Sequence, residues 1–290
     1  MHPVLFHLPG GFAVRSFGVM VALGFLLSTW ILSRLVARTS DRPQEDIASY
    51  GAVSVWVLVG IVLGARLAYV IVEIAKGSET GQQYLDQPFT ILAIWEGGLV
   101  MYGGLFGGIA AGVWRVRREG LPAAHSLDLG LTAAFFGYAV GRVGCLLVGD
   151  DYGKTVPERF RDLPFPITLR VPDPLPQHSL FGAENAGQLL WATQVWMAAN
   201  GLLLGLAGLA LLFRRRYPGQ VALVLILGYS ITRSLIEIFR GDEVRGVWLG
   251  GAVSTSQLIS IATGIVAVVL LVGLRRRTGD PVFRAREVAP

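Results

Sequence analysis

Seven long apolar runs restrict what this chain can fold into. They cover about residues 17–35, 51–71, 91–114, 127–148, 190–213, 221–239 and 254–274. A helix needs about 20 apolar residues to cross the hydrocarbon core of a bilayer. Because 53% of the 290 residues are hydrophobic and only 16% are charged, one water-soluble core cannot bury this much apolar surface. We therefore predict an all-α integral membrane protein, built as a bundle of seven transmembrane helices.

The basic residues between the runs predict the orientation in the membrane. Of the 25 Lys and Arg residues, 14 fall in the connections after runs one, three, five and seven, and 8 fall on the opposite side. Short cytoplasmic loops carry the excess of Lys and Arg, so we expect the N-terminus outside and the C-terminus in the cytoplasm. The net charge of +5 is then mostly a topology signal, and no nucleic-acid partner is predicted. No small-residue cleavage site follows the first run, so we expect it to be retained as a span.

We predict one polytopic membrane domain over residues 1–290, with two additional features. The connection at residues 149–185 holds six of the 14 prolines, which do not fit a helix interior, so an irregular cap outside the membrane is expected. Residues 278–290 are expected to form a short cytoplasmic tail. Cys145 is the only cysteine, which excludes an internal disulfide, and the four histidines are scattered. No metal and no cofactor is therefore predicted.

An arginine lies within the fourth apolar run. Arg142 is followed shortly by Asp150 and Asp151. A charged side chain in hydrocarbon costs roughly 2.5 to 3.5 kcal/mol on insertion scales unless it faces protein, water or a charged ligand. Snorkelling of Arg142 to the interface is the alternative interpretation.

Three further arginines, Arg66, Arg233 and Arg240, are expected near the outer ends of their runs. A planar guanidinium binds oxyanions through paired donors and stays charged when desolvated. A phosphate ester in a phospholipid head group is therefore the expected ligand. The alternative is a set of internal salt bridges, Arg66 with Glu96 or Arg233 with Glu237. For Arg233 and Glu237, which are spaced i, i+4, the salt bridge is the favoured interpretation.

Glycine pairs recur in the third run, at positions 97–98, 103–104 and 107–108. Small residues in a span allow two helices to approach closely, or they break the helix near a ligand. We expect close packing as the main cause.

Several short stretches, in this order and spacing, resemble the bacterial prolipoprotein diacylglyceryl transferases. The resemblance runs from about residue 14 to about residue 274. The matching stretches are VRSFG at 14–18, GARLAYV at 64–70, WEGGLVMYGGL at 95–105, GRVGCLLVGDDYG at 141–153, ATQVW at 192–196, RSLIEIFRGD at 233–242 and SQL at 256–258.

The resemblance implies a seven-span bundle in the bacterial inner membrane with a periplasmic N-terminus. It also implies a reaction: the diacylglyceryl group of phosphatidylglycerol moves to the lipobox cysteine thiol in the signal peptide of a preprolipoprotein, and glycerol 1-phosphate leaves. The expected partners are therefore phosphatidylglycerol, preprolipoprotein signal peptides and membrane lipid. The implied catalytic residues are Arg142, Arg240 and Tyr102. The implied substrate-binding residues are Arg66, Glu96, Gly103, Gly104, Asp150, Gly153, Glu237 and Gln194.

Four positions differ from the common pattern of that family. Tyr102 stands where many members have histidine, Cys145 replaces an asparagine, Phe17 replaces a tyrosine and Asp150 replaces a glutamate. The changes at Tyr102, Cys145 and Phe17 support a second hypothesis, a catalytically weakened homologue that binds lipid or lipoprotein as a regulator, whereas Asp150 keeps the charge. A third hypothesis is transport of a lipid or anion along the arginines. It predicts polar residues in the cytoplasmic half of the bundle, where runs one, five and seven are nearly uncharged.

Overall fold

Eight α-helices and three antiparallel strand pairs form the regular structure of the residues described here. The computed structural model describes residues 1–7, 9, 13–93, 97–241, 246–248 and 253–277. The helices are α1 (Ser16–Thr39), α2 (Pro43–Lys76), α3 (Glu79–Asp86), α4 (Met101–Arg118), α5 (Ala123–Val148), α6 (Thr193–Leu212), α7 (Gln220–Glu237) and α8 (Thr255–Arg277). The strand pairs are β1 (Val4–His7) with β2 (Ala13–Arg15), β3 (Thr168–Arg170) with β4 (Leu189–Trp191), and β5 (Val247–Trp248) with β6 (Val253–Ser254).

Six helices within the described ranges are long and apolar enough to cross a membrane. They are α1, α2, α5, α6, α7 and α8, and each coincides in sequence with one predicted run. The chain is mostly helical, at about 70%. The prediction of a helical, multi-pass membrane protein is therefore confirmed, with six candidate spans.

The third predicted run differs most from the structure. Residues Pro88–Leu92 form a short 3-10 helix, and α4 begins only at Met101. Gly97 and Gly98 have φ values of 93° and 71°, in the left-handed region that a continuing right-handed helix cannot use. A span that starts at residue 91 is therefore wrong, because the glycine pair turns the chain before the helix begins.

Helix α2 is longer than its apolar run predicts. Pro43 lies in its first turn, where a missing N–H is tolerated, and Glu45 and Asp46 lie in the same turn, where negative charge is favourable. Gly77 ends the helix in the left-handed conformation, with φ 65°. The polar first turns were missed because hydropathy detects the membrane-spanning part of a helix and not its ends.

The chain divides into two compact units, which are described separately. The first unit contains the described residues of Met1–Leu32 and Leu127–Pro290, and the second contains Ser33–Ser126.

In the second unit, α2 and α4 pack through facing glycines. A Cβ atom on Gly60 or Gly64 would overlap the backbone of α4, and one on Gly107 would overlap the backbone of α2. Gly103 packs in the same seam, against Gly64 and Ala68. The close helix packing expected from this glycine pattern is confirmed for α4.

In the first unit, small residues again set the helix spacing. Gly24 of α1 and Gly137 of α5 face each other so closely that neither has space for a Cβ. Helix α7 meets α8 partly through polar groups, with Ser230 Oγ 3.1 Å from Thr263 Oγ1.

The connection between α5 and α6 is irregular, as its proline content predicts. It contains two short 3-10 turns and the β3–β4 pair, in which Thr168 pairs with Trp191. Val171, Phe181 and Leu190 form a small buried apolar core inside it. The segment is therefore an ordered substructure of the first unit.

Candidate active site

The end of α5 turns sharply and brings two aspartates beside the helix. The N–H groups of Gly149 and Asp150 both donate to the carbonyl of Cys145 at 2.9 Å. Gly149 has φ 81° and Asp151 has φ 53°. Aspartate tolerates the left-handed region better than most residues with a side chain. The turn therefore directs the Asp151 side chain back toward α5.

Asp151 joins the two arginines that were predicted to be catalytic. Its Oδ2 accepts a hydrogen bond from Nη1 of Arg142, and its Oδ1 accepts one from Nη2 of Arg240. Arg142 lies on α5 and Arg240 follows α7, so the carboxylate connects two elements that are far apart in sequence. The structure brings Arg142 and Arg240 together on one anionic group.

Gly153 places Arg240 at this point. The two residues form an isolated antiparallel bridge, and on either side Lys154 N donates to Phe239 O at 2.7 Å and Gly241 N donates to Tyr152 O at 3.0 Å. A Cβ on Gly153 would overlap the backbone of Trp191. Gly153 was predicted to bind substrate, and the structure shows it in a tight backbone position that orients an arginine.

The backbone of Asp151 is held independently of its side chain. Thr193 Oγ1, fully buried at the first residue of α6, donates to the Asp151 carbonyl at 2.8 Å, and Asp150 Oδ1 accepts from Asp151 N at 2.9 Å. Burial alone raises the pKa of the Asp151 carboxyl, but the charges of Arg142 and Arg240 outweigh it, so that this pKa lies below its usual value. Asp151 is therefore ionised near neutral pH.

Besides its hydrogen bond to Asp151, Arg142 makes two further contacts. Its guanidinium lies over the ring of Tyr138, 4.9 Å from the ring centre, in a cation–π contact. Its Nη1 also lies 3.7 Å from Sγ of Cys145. Since the guanidinium is directed into this cluster, snorkelling to the interface does not describe its position.

Glu237 forms the inner part of the cluster and is almost completely buried. Its Oε2 is 2.6 Å from Nη1 of Arg233 and 3.7 Å from Nη1 of Arg240. Arg233 in turn donates from Nη2 to Oγ of Ser256 at 3.2 Å. The predicted ion pair of Arg233 and Glu237 is confirmed.

Gln194 lies in the first turn of α6, next to Thr193, and is fully buried. Neither its amide nitrogen nor its amide oxygen has a hydrogen-bond partner among the residues that the structure describes. Buried polar groups almost always have partners. Gln194, which was predicted to bind substrate, therefore has donor and acceptor capacity that no described residue uses.

Asp150 lines a cavity of about 350 Å³ in the first unit. Its polar wall includes Arg15 and His178. The remaining lining residues are Pro3, Phe17, Gly18, Val148 and Leu180. Asp150 therefore borders an open space, whereas the neighbouring Asp151 is turned toward the arginines.

Arg66 lies in the second unit and is committed to its own loop. Nε donates to Ile91 O at 2.7 Å, and Nη2 donates to Thr90 O at 3.0 Å. Nη1 donates to the carbonyls of Gly97 and Gly98 at 2.8 and 3.2 Å. Four backbone acceptors thus take up most of its five donors. The structure gives Arg66 the role of holding the loop that leads into α4.

The remaining predicted residues also belong to the second unit. Tyr102 lies in the first turn of α4 and is half-buried, and Gly103 and Gly104 follow it in the packing seam with α2. Glu96, and with it the alternative Arg66–Glu96 pair, lies outside the described residues.

Sequence reasoning assigned no role to Asp151 or Thr193. Asp151 was visible as the second of two adjacent aspartates, but only the left-handed turn after α5 shows which of the two reaches the arginines. The sequence gives no sign of the role of Thr193, because its hydrogen bond to the Asp151 carbonyl joins two residues that are far apart in sequence.

The chain is similar in sequence to proteins of one family. The family model described as "Prolipoprotein diacylglyceryl transferase" matches residues 3–273. Curated relatives named phosphatidylglycerol--prolipoprotein diacylglyceryl transferase include one from Rhodospirillum rubrum, which is 30% identical over 276 residues, covering 94% of this chain and 92% of the relative. A second from Geobacter sulfurreducens is 30% identical over 282 residues, covering 96% and 97%. A third from Synechococcus elongatus is 30% identical over 287 residues, covering 94% and 89%.

Proposed function

The chain belongs to the prolipoprotein diacylglyceryl transferase family, and on that premise we propose which residues perform the transfer. The chain moves the diacylglyceryl group of phosphatidylglycerol to a prolipoprotein. The acceptor is the lipobox cysteine thiol in the signal peptide, and glycerol 1-phosphate is the product that leaves. The convergence of Arg142 and Arg240 on one carboxylate is the observation that carries the assignment of the site.

The reaction needs a place for negative charge. The substrate thiolate attacks the glycerol carbon that bears the phosphoester oxygen, a C–S bond forms, and the C–O bond breaks with its electron pair on the phosphate. Fixed guanidinium groups stabilise this developing charge most strongly where water is excluded. Arg142 and Arg240 have side chains that are 15% and 8% exposed, so they meet that condition.

Other residues take supporting roles in this proposal. Glu237 and Arg233 fix Arg240 from the inner side. Gln194 offers its unsatisfied amide to the glycerol or phosphate oxygens, and Asp150 lines the neighbouring cavity. Tyr102 is proposed as a hydrogen-bond donor in the reaction, on the ground of the family resemblance alone.

We further propose the orientation and the span count. Seven spans, with α4 as the additional one, place the N-terminus and the cap at residues 149–185 in the periplasm, and the C-terminal tail in the cytoplasm. The excess of Lys and Arg in the connections after runs one, three, five and seven supports a cytoplasmic location for those connections. A reporter fused after Phe213 should behave as cytoplasmic. A periplasmic reporter at that position would overturn the proposed site.

Complementation tests the function directly. A bacterium depleted of its own transferase should grow when it expresses this chain, and its prolipoproteins should carry diacylglyceryl groups. The same chain with Arg142→Ala should be inserted but should not support growth. Insertion of the unchanged chain without lipidation would favour a regulator or a transporter over a transferase.

A further inference from the structure

Asp151 has no role in the proposed chemistry, yet it contacts both catalytic arginines. One of its oxygens accepts from Arg142 and the other accepts from Arg240. Each guanidinium thus holds a different oxygen, and the carboxylate spaces the two arginines.

A phosphodiester presents the same set of acceptors as this carboxylate. It carries one negative charge and two non-bridging oxygens, and phosphatidylglycerol contains one such group. Guanidinium groups bind carboxylate and phosphate oxygens through the same donors. Two arginines that are bridged by a carboxylate are therefore suitably arranged to bind a phosphodiester in its place.

The position of Asp151 allows such an exchange. Its side chain is 19% exposed, whereas the side chain of Glu237 is 1% exposed. Its backbone is fixed by Thr193 and is in the left-handed conformation, a region in which residues with side chains are concentrated at functional sites. Since the main chain has its own hydrogen bonds, a rotation of the side chain does not require the main chain to move.

We propose that Asp151 is a positioning residue that occupies the phosphate site before substrate binds, holds Arg142 and Arg240 at the spacing of a phosphodiester, and releases them to the phosphodiester of phosphatidylglycerol. The proposal rests on the proposed function, because it takes that lipid as the substrate. Loss of the carboxylate has two opposite effects. Phosphate ligands lose an internal competitor and bind more tightly, and the arginines lose the group that spaces them, so turnover falls.

Binding of glycerol 1-phosphate tests the exchange without requiring turnover. Calorimetry compares the purified, detergent-solubilised chain with Asp151→Asn and with Asp162→Asn, an exposed aspartate of the same connection. Asp151→Asn should bind roughly tenfold more tightly, and Asp162→Asn should bind like the unchanged chain. In transfer assays, Asp151→Asn should lower both KM for phosphatidylglycerol and kcat. Equal or weaker binding by folded Asp151→Asn would overturn the proposal.

A second measurement applies if Asp151→Asn does not fold. Infrared difference spectra of the unchanged chain should show a shifted carboxylate stretching band when glycerol 1-phosphate is added. The band should change in Asp151→Glu, which keeps the charge. A carboxylate region that is unaffected at saturation would also overturn the exchange. Failure of the proposed function has a different signature, namely glycerol 1-phosphate binding by an unchanged chain that transfers nothing to a lipobox peptide.

Discussion

Two aspartates of the first unit, one near each end of α5, show how differently a carboxylate can be used. Asp128 is fully buried and receives hydrogen bonds from Arg215, from Gly219 N and from Ala222 N, at 2.7 to 2.8 Å. Asp151 is partly exposed, and its carboxylate accepts hydrogen bonds from two arginines and from the thiol of Cys145.

The difference lies in what could replace each carboxylate. Two of the partners of Asp128 are backbone N–H groups at the start of α7, which need an acceptor as long as that helix exists. The partners of Asp151 are side chains that bind any suitable oxyanion. We conclude that Asp128 is a permanent helix cap and that Asp151 occupies a site where an anionic ligand competes with it.

The largest effect is expected for Arg142 and Arg240. If they bind the substrate phosphate and do not merely bridge Asp151, replacing either one should lower transfer. Arg142→Lys or Arg240→Lys keeps the charge but loses the planar set of donors, so transfer should fall by about 100-fold. Transfer to a lipobox peptide is the measurement, and membrane insertion is the control. Full activity of Arg240→Lys would contradict the role of the guanidinium in binding phosphate.

Asp128→Asn tests the structural side of the comparison. An amide replaces one acceptor oxygen by a donor that faces other donors, so the stability of the chain should fall by about 2–3 kcal/mol. Thermal unfolding in detergent measures this, with Asp162→Asn as the control. Activity per folded molecule should stay the same. A large loss of kcat at unchanged stability would show that Asp128 is not only a cap.

The sequence predicted the membrane class and the six helices that are long and apolar enough to span a membrane, because long apolar runs are local signals. Charges inside such runs also drew attention to Arg142, whereas the catalytic roles of Arg142 and Arg240 were implied by the family resemblance. The sequence did not predict the start of α4, where the positive φ angles of Gly97 and Gly98 interrupt an apolar run. It also missed Asp151 and the role of Arg66 in its loop. Both depend on side-chain direction and on contacts between distant segments, which periodicity and composition do not contain.

Tyr102 is expected to have a smaller effect than the arginines. Tyr102→Phe removes one hydroxyl donor from the first turn of α4, so transfer should fall by about tenfold. The chain should stay folded, because the ring remains in place. The measurement is kcat at saturating lipid, and Tyr69→Phe in the same unit is the matched control. Equal rates for Tyr102→Phe and the unchanged chain would remove Tyr102 from the site.

Cys145 should have the smallest effect, although it lies within the cluster. Its Sγ is 3.7 Å from Nη1 of Arg142 and 3.8 Å from Oδ2 of Asp151. Transfer to the substrate thiol needs no thiol of the enzyme, and a buried cysteine commonly acts as a small apolar side chain. We therefore expect Cys145→Ser and Cys145→Asn to retain transfer within about twofold, because both side chains are close to cysteine in size and can hydrogen-bond to the charged groups beside it.

The two Cys145 variants also test the comparison of the aspartates. Both add a hydrogen-bonding group beside Asp151 without changing the charge of the cluster, so they should leave Asp128 and its cap unaffected. Asparagine, the commoner residue of the family at this position, offers an amide donor to Asp151 Oδ2, from which Sγ is 3.8 Å away. If both variants are folded and inserted but transfer nothing, the chemistry depends on the thiol, and Arg142 then acts on Cys145 instead of on the substrate phosphate.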